Sequence, residues 1–522
     1  MAVSSAAARV LFLLSLTVVA FGLRAAALST YGFSEDEINK VRAIEQYRTG
    51  HFVVNAEHPM LMKLAMWASV EAARAWNRAR PGQAVAMEAA LRLPNALAGA
   101  ATTVVLFGLS ELLFGTSIAV VAALFWALDV NAIAVNRIGK EDTFFVLFLM
   151  LAMFCYERAK RVGAADPVGA QRWYTSSGAS FGLMLASKYF LHYLGIYALF
   201  NTLAHRRPGS NKPHKPRYYG AMLAAFLIGN LAILSPATWL YCLDYIRGGT
   251  LMHHGHPFGG GLYVNTSMLS TQGVPATFYL QLVAMKIPLT VLGAALAGLI
   301  ETVRRRRERG FFLIGLLLLT FIVPYSLLAP KFVRYALPLF AWIDIVAAVG
   351  LVAGTRWLLR KSWLSPMTRV TAATAAVTLS VVGPCVAQRS ASPLYSIYQN
   401  AVGERLAPAG ATFPEDAYDY GVREAVDTIA HAAEPGAVII SDAPDVVAYY
   451  IDASGRRDLS PRALSSAGIP TQGRPSWVIV QAEHLTFENR DVIAQLRRQL
   501  VPWRRYYAGD ALSAEVFRMS RS

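Results

Sequence analysis

The sequence predicts an all-α bundle that crosses a membrane many times and ends in a small α/β domain outside it. Three observations carry this expectation. Hydrophobic residues fill 55% of the 522 positions and charged residues only 16%, against roughly 25% charged in an average soluble domain. Apolar runs long enough to cross a bilayer recur as far as residue 386, and the basic residues between them are gathered into clusters. With a mean hydropathy of +0.38, a soluble chain would leave too much apolar surface facing water. Disorder is excluded as well, because it pairs low hydrophobicity with high net charge.

A membrane helix takes about 20 apolar residues. The first candidate, 10–27, ends at Arg24-Ala25-Ala26-Ala27-Leu28 and has the small-residue end of a cleavable signal peptide. The spans that follow favour a retained helix. Further spans are expected at 93–113, 117–135, 143–156, 218–236, 276–300, 311–329, 332–354 and 370–386. The stretch 173–204 is too long for one span and short for two. Four basic clusters resolve it: Arg158/Lys160/Arg161/Arg172, Arg206/Arg207/Lys212/Lys215/Arg217, Arg304 to Arg307 with Arg309, and Arg356/Arg360/Lys361. If all four face the cytoplasm, each segment between neighbours crosses an even number of times. Segment 173–204 is then a pair of short helices turning near Ser187-Lys188. Eleven helices result, with the N-terminus inside and residues 388–522 outside.

Two regions lie beyond the bilayer in this scheme. Residues 28–90 form a long first external loop, in which 60–79 reads as an amphipathic helix along the interface. Residues 1–387 make the membrane domain, and 388–522 read as the α/β domain. Within the latter, Val438-Ile439-Ile440 and Val478-Ile479-Val480 have the composition of buried strands, and 420–433 and 488–500 have helical spacing.

The balance of 49 Lys+Arg over 33 Asp+Glu gives +16 and a pI near 9.8. In a soluble protein this would point to nucleic acid; here it marks cytoplasmic loops, and no nucleic-acid partner is expected. Cys155, Cys242 and Cys385 show no metal-ligand spacing, and a Cys242–Cys385 disulfide is not expected.

Ionisable groups at span ends are functional candidates, and the external side gathers many of them. They are Glu35-Asp36-Glu37, His58, Arg92, Arg137 with Glu141-Asp142, Lys188, His253-His254-Gly255-His256, and Lys331 with Arg334. Cations of this kind suit a departing lipid phosphate, and a carboxylate suits a general base for an acceptor hydroxyl. No Walker A sequence occurs. Each candidate also has a structural reading. Glu35–Glu37 can cap a helix before Ile38, and His58 before Pro59 can be a turn residue. Arg92 and Lys188 can anchor helices at the interface, and Arg137, Glu141 and Asp142 can form a local ion pair. The three histidines leave a divalent metal open. Gly259-Gly260-Gly261 reads as loop flexibility, and Asn265-Thr266-Ser267 is a glycosylation sequon only in a host that glycosylates in that compartment.

Ser34-Glu35-Asp36-Glu37, Glu57-His58-Pro59-Met60-Leu61 and Arg92-Leu93-Pro94-Asn95-Ala96-Leu97-Ala98-Gly99 resemble successive motifs of the protein O-mannosyltransferase family. That family also includes bacterial lipid A aminoarabinose transferase-like enzymes. Arg137 with Asp142, Ser187-Lys188-Tyr189 and Arg334-Tyr335-Ala336-Leu337-Pro338 fit the same pattern, which spans roughly residues 10–355. The resemblance implies a C-type glycosyltransferase fold in a bacterial inner membrane. It also implies a polyprenyl-phosphate sugar donor, and a glycan, lipid or protein acceptor. By it Asp36 corresponds to the base and Arg92 to a residue near the donor phosphate. Glu37, His58, Arg137, Asp142, Lys188, His253, His254, His256, Lys331 and Arg334 are then expected around donor and acceptor. Met60 replaces the second proline of the usual His-Pro-Pro, and no segment is long enough for the β-trefoil insert of eukaryotic members. The rival expectation is a transporter or lipid flippase; a non-catalytic assembly subunit is a third.

Overall fold

The computed structural model describes residues 6–163, 165–204, 212–247, 253–265, 273–464 and 475–519. Its helices begin with α1 (Ala6–Ala25), α2 (Glu35–Arg48), α3 (Leu61–Ala79), α4 (Met87–Phe114), α5 (Thr116–Leu128) and α6 (Val130–Asn136). They continue with α7 (Asp142–Val162), α8 (Pro167–Ser187), α9 (Leu191–Leu203), α10 (Lys215–Gly229) and α11 (Pro236–Arg247). A hairpin of β1 (His253–Phe258) and β2 (Gly261–Asn265) precedes α12 (Phe278–Lys286), α13 (Leu289–Arg304), α14 (Arg309–Leu327), α15 (Leu337–Leu359) and α16 (Pro366–Ala391). Among the described residues, five helices are long and apolar enough to cross a membrane: α1, α4, α14, α15 with the turn before it, and α16. The α5–α6 pair, bent by 57°, makes a sixth. The remaining intervals carry shorter or more polar helices, so length and apolarity mark fewer spans than the eleven expected. The stretch 173–204 is broken into α8 and α9 at Lys188, whose backbone is extended.

α15 is the axis of the bundle, with 94% of its apolar window buried against 11% for α1. Small residues let its neighbour approach: a Cβ on Gly350 would lie 1.9 Å from Ala294 O, and one on Gly298 1.8 Å from Val346 O. Gly178-Ala179-Ser180-Phe181-Gly182 has the spacing of a hydrolase nucleophile elbow, but it lies inside α8 and not at a strand–helix turn. Its glycines admit α10, since a Cβ there would meet Tyr218 O and Met222 O, and Ser180 Oγ bonds Ser176 O at 2.8 Å. At one end of the bundle Arg309 clamps Glu157 at 2.6 and 2.9 Å, which joins the first and third basic clusters. The fourth lies at the far end of the 23-residue α15, about 34 Å from its start.

At the opposite end sit α2, α3 and the C-terminal region. α3 turns Met62, Met66 and Val70 inward at helical spacing. Beyond α17 (Ala401–Leu406) come α18 (Val422–Ala432), β3 (Val438–Ser441), α19 (Pro444–Ser454), β4 (Ser460–Ala463), β5 (Ser476–Gln481), α20 (Arg490–Gln499), β6 (Arg504–Ala508) and β7 (Ala511–Met519). The sheet order is β4-β3-β5-β7-β6. β3 runs parallel to β4 and β5, while β7 is antiparallel to β5 and β6. The apolar runs of β3 and β5 are buried throughout, as parallel strands covered on both faces require. One face packs on Ile493 and Leu496 of α20. The other belongs to a core that continues through Val426 and Ile429 to Met66, Leu91 and Ile38. The α/β region is therefore seated on α2 and α3. All three cysteines are free.

Candidate active site

The first turn of α2 sends neighbouring carboxylates in different directions, because successive residues on a helix diverge by about 100°. Glu37 points inward. It accepts from Arg92 Nε (2.8 Å) and Nη2 (2.7 Å), from Gly139 N (2.9 Å) and from Ser34 N (3.1 Å). The remaining N–H groups of Arg92 reach Leu28 O (2.7 Å), Tyr31 O (3.0 Å) and Gly32 O (2.6 Å). All five guanidinium donors are thus spent on protein acceptors, and both side chains are 1% exposed. Arg92 was expected at the donor phosphate; here it joins the external loop to α2 and α4 and keeps no donor for a ligand.

Asp36 points the other way, with its side chain 38% exposed. Its Oδ2 pairs with Lys140 Nζ and lies 3.8 Å from Arg334 Nη2. One turn along the same face, Lys40 Nζ meets Glu141 Oε1 at 2.9 Å, and His58 Nδ1 is 3.9 Å from that oxygen. Asp142 bonds Lys188 at 2.6 Å. The Lys188 ammonium and the Arg334 guanidinium lie 4.3 and 5.4 Å from the centre of the Tyr335 ring. The result is a continuous row in which Lys40, Lys140, Arg334 and Lys188 alternate with Glu141, Asp36 and Asp142. Four cations face three carboxylates, and only Asp36 among the carboxylates is open to solvent.

Electrostatics follow from that imbalance. Burial alone would raise the Asp36 carboxyl, but Lys140, Arg334 and Lys40 together hold it well below the usual carboxylate range. Burial, with Arg334 and Lys40 adding to it, pulls Lys140 down to about 8. His58 is pushed well below its ordinary value by burial and then by Lys40, Lys140 and Lys63, despite Glu141. Lys63 is brought to about 7 by burial and by Lys40; it bonds Asn55 O (2.5 Å) and His58 O (2.9 Å) and fixes the chain before α3. A small cavity of about 20 Å³, room for about one water, lies beside Arg334, between Asn131, Lys286, Ser396 and Tyr418.

The other expected residues sit outside the row. Arg137 donates to Leu23 O, Arg24 O, Ala26 O and Ala27 O and caps the end of α1. Lys331 donates to Val274 O (2.6 Å) and Leu328 O, and burial lowers it to about 8. His256 is buried edge-on to Phe332, 5.2 Å between ring centres, and Phe332 in turn lies beneath Arg334 at 4.2 Å. The side chains of His253, His254 and Asn265, and residues 266–267 of the sequon, fall outside the described residues. Lys140 and Lys40 were missed from sequence, although Lys140 stands in the same short loop as Arg137 and Glu141. Glu415, from the C-terminal region, was missed as well; it accepts from Val333 N and braces the turn that carries Arg334.

If Arg92 is a joint, Arg92→Ala should destabilise the ligand-free protein by about 3–5 kcal/mol, the usual cost of orphaning one member of a buried pair. Thermal unfolding in detergent measures this. Replacing both partners together (Glu37→Leu with Arg92→Met) should recover part of the loss. An Arg92→Ala protein as stable as the wild type would return Arg92 to a ligand role.

Residues 84–233 match the family described as dolichyl-phosphate-mannose-protein mannosyltransferase. No curated protein matches the chain. The crystal structure of ArnT from Cupriavidus metallidurans bound to undecaprenyl phosphate superposes with a TM-score of 0.53 at 15% identity, covering 98% of each chain. AglB from Archaeoglobus fulgidus, in complex with an inhibitory peptide and a dolichol-phosphate, gives 0.54 at 12% identity over 98% of this chain and 74% of that one. The apo oligosaccharyltransferase of Archaeoglobus fulgidus gives 0.55 at 12% identity, over 90% and 69%. At these identities the likeness is one of fold. The chain is a membrane protein with the fold of the C-type glycosyltransferases, and its segment 84–233 matches the mannosyltransferase family within that fold.

Proposed function

We propose that this protein moves a sugar from a polyprenyl-phosphate-linked donor to a hydroxyl or amine of a glycan, lipid or protein acceptor, with inversion. Asp36 is the general base. The observation that carries the reading is the solvent-open carboxylate of Asp36 set between Lys140 and Arg334, in a row with more cations than carboxylates. The ArnT and AglB structures, bound to undecaprenyl phosphate and to a dolichol-phosphate, support the donor class.

The chemistry needs one displacement. The acceptor lone pair attacks the anomeric carbon while the bond from that carbon to the phosphate oxygen breaks, and its electron pair stays on the phosphate. The acceptor proton passes to Asp36. The lipid phosphate gains negative charge as it leaves, and Lys140 and Arg334 are the cations within reach of Asp36 to receive it. The two roles are coupled. While both cations hold Asp36, it is ionised but a weak base. A phosphate that draws them away removes the charges that depress it, so donor binding activates the base. The basic clusters at the far end of the bundle support placing the site on the extracytoplasmic side, with the N-terminus and those clusters in the cytoplasm.

Asp36→Asn should reduce transfer by about 10²–10⁴-fold, the range for loss of a general base, and should bind the polyprenyl phosphate at least as tightly as the wild type, because the competing carboxylate is gone. Transfer of labelled sugar by purified protein in detergent is the assay, and a fully active variant would contradict the assignment. Substrate crossing a vesicle membrane with its sugar–phosphate bond intact would favour the transporter instead.

Lys140 gives a pH signature. Its ammonium is charged below about 8 and neutral above, so kcat/KM, which reports the free enzyme, should fall as pH rises through about 8. Lys140→Arg should carry that limb to higher pH. An alkaline limb that stays in place would remove Lys140 from the phosphate site.

A further inference from the structure

The α/β region carries a second cluster that the transfer reaction does not use. Asp419 precedes α18, and Glu483 and His484 follow β5, at the carboxyl ends of the parallel strands where open α/β sheets place their ligands. One ligand atom from each of the three lies within 4.8 Å of the other two. His484 Nε2 is 2.9 Å from Asp419 Oδ1 and 3.8 Å from Glu483 Oε1. Their side chains are 2%, 15% and 18% exposed for Asp419, Glu483 and His484, so the trio is sheltered yet reachable.

We propose that Asp419, Glu483 and His484 bind a divalent transition-metal ion of the zinc class, against the turn that opens α2.

Charge supports this first. Glu35 Oε2 stands 3.9 Å from Nδ1 of His484, the nitrogen on the far side of the ring, and Asp442 also acts on that imidazole. Four carboxylates therefore surround one histidine, and among the described residues no lysine or arginine pairs with Asp419 or Glu483. A dication would neutralise that field and displace the ring proton.

The outer supports are also built. Gln481 Nε2 donates to Asp419 Oδ1, and Ser441 Oγ donates to Gln481 Oε1 at 2.8 Å. Asn489 Nδ2 holds Asp442 Oδ2 at 2.9 Å. Ligand carboxylates oriented by amide donors, and a histidine with a carboxylate on its second nitrogen, are the usual surroundings of a metal-bound residue. An imidazole among the donors suits zinc and its neighbours in the first transition row, with carboxylate oxygens completing the set; magnesium and calcium favour all-oxygen sets. Asp419 Oδ2 accepts from Glu35 N at 2.8 Å, so an ion on Asp419 would fix the residue next to Asp36.

The test uses the untagged full chain in detergent, stripped with a chelator and titrated calorimetrically with Zn²⁺. One Zn²⁺ per chain is expected, with binding weakened about a hundredfold or more in Asp419→Asn and in His484→Gln, and about tenfold in Glu35→Gln. Asp36→Asn should bind as the wild type does, whatever its activity, so this result is independent of the transferase reading. X-ray absorption on the zinc-loaded wild type keeps the test valid if a variant fails to fold. It should show one imidazole in a nitrogen and oxygen shell. Absence of stoichiometric Zn²⁺, a shell with sulfur or several imidazoles, or full affinity in a folded Asp419→Asn/His484→Gln double variant would overturn the proposal.

Discussion

Much of this molecule's site end hangs on the buried bidentate pair of Glu37 with Arg92. Taking two charges out of water costs several kcal/mol each, and here the cost is offset by complete satisfaction. The guanidinium gives all five N–H groups, and the carboxylate also takes the backbone N–H groups of Ser34 and Gly139. Those contacts tie four separate pieces of chain to one point: the loop after α1, the first turn of α2, α4 and the loop before α7. With Glu37 so fixed, helical geometry alone decides that Asp36 and Lys40 face the opposite loop, where Lys140 and Glu141 wait.

From that orientation the electrostatic character of the site follows. In the proposed reaction, this partly exposed aspartate among sheltered cations acts as an anion exchanger, because an incoming phosphate would compete with the carboxylate for the same lysine and arginine. The α/β region takes part in holding both sides of the competition. Asp419 accepts from the backbone N–H of Glu35, beside Asp36, and Glu415 accepts from Val333 N, beside Arg334. The region is thus a brace on the site and not a separate appendage, consistent with the core it shares with α2 and α3.

Much of the architecture was legible in the sequence because it rests on periodicity and charge. Loop parity alone divided 173–204, and the chain does break at Lys188. The apolar spacing of 60–79 became α3, and the runs at 438–440 and 478–480 became β3 and β5. Individual arginines and lysines were harder to read. A cation at a span end looks the same in sequence whether it meets a ligand or caps carbonyls. Arg137 and Lys331 cap carbonyls, on loop and helix ends whose positions only the fold supplies. Asp419 and His484 meet across the sheet, from segments that only the strand order brings together. The same limit applies to Lys40, since its partner Glu141 lies a whole span pair away in the chain.

In the proposed reaction the lipid phosphate takes Lys140 and Arg334 away from Asp36 and so activates it. Infrared titration of a ¹³C-labelled aspartate carboxyl, assigned with Asp36→Asn, measures this directly in the wild-type chain with and without polyprenyl phosphate. The expected result is an Asp36 pKa well below the usual range in the free protein, rising by about one unit or more when the phosphate binds. A pKa that is the same in both states would contradict it.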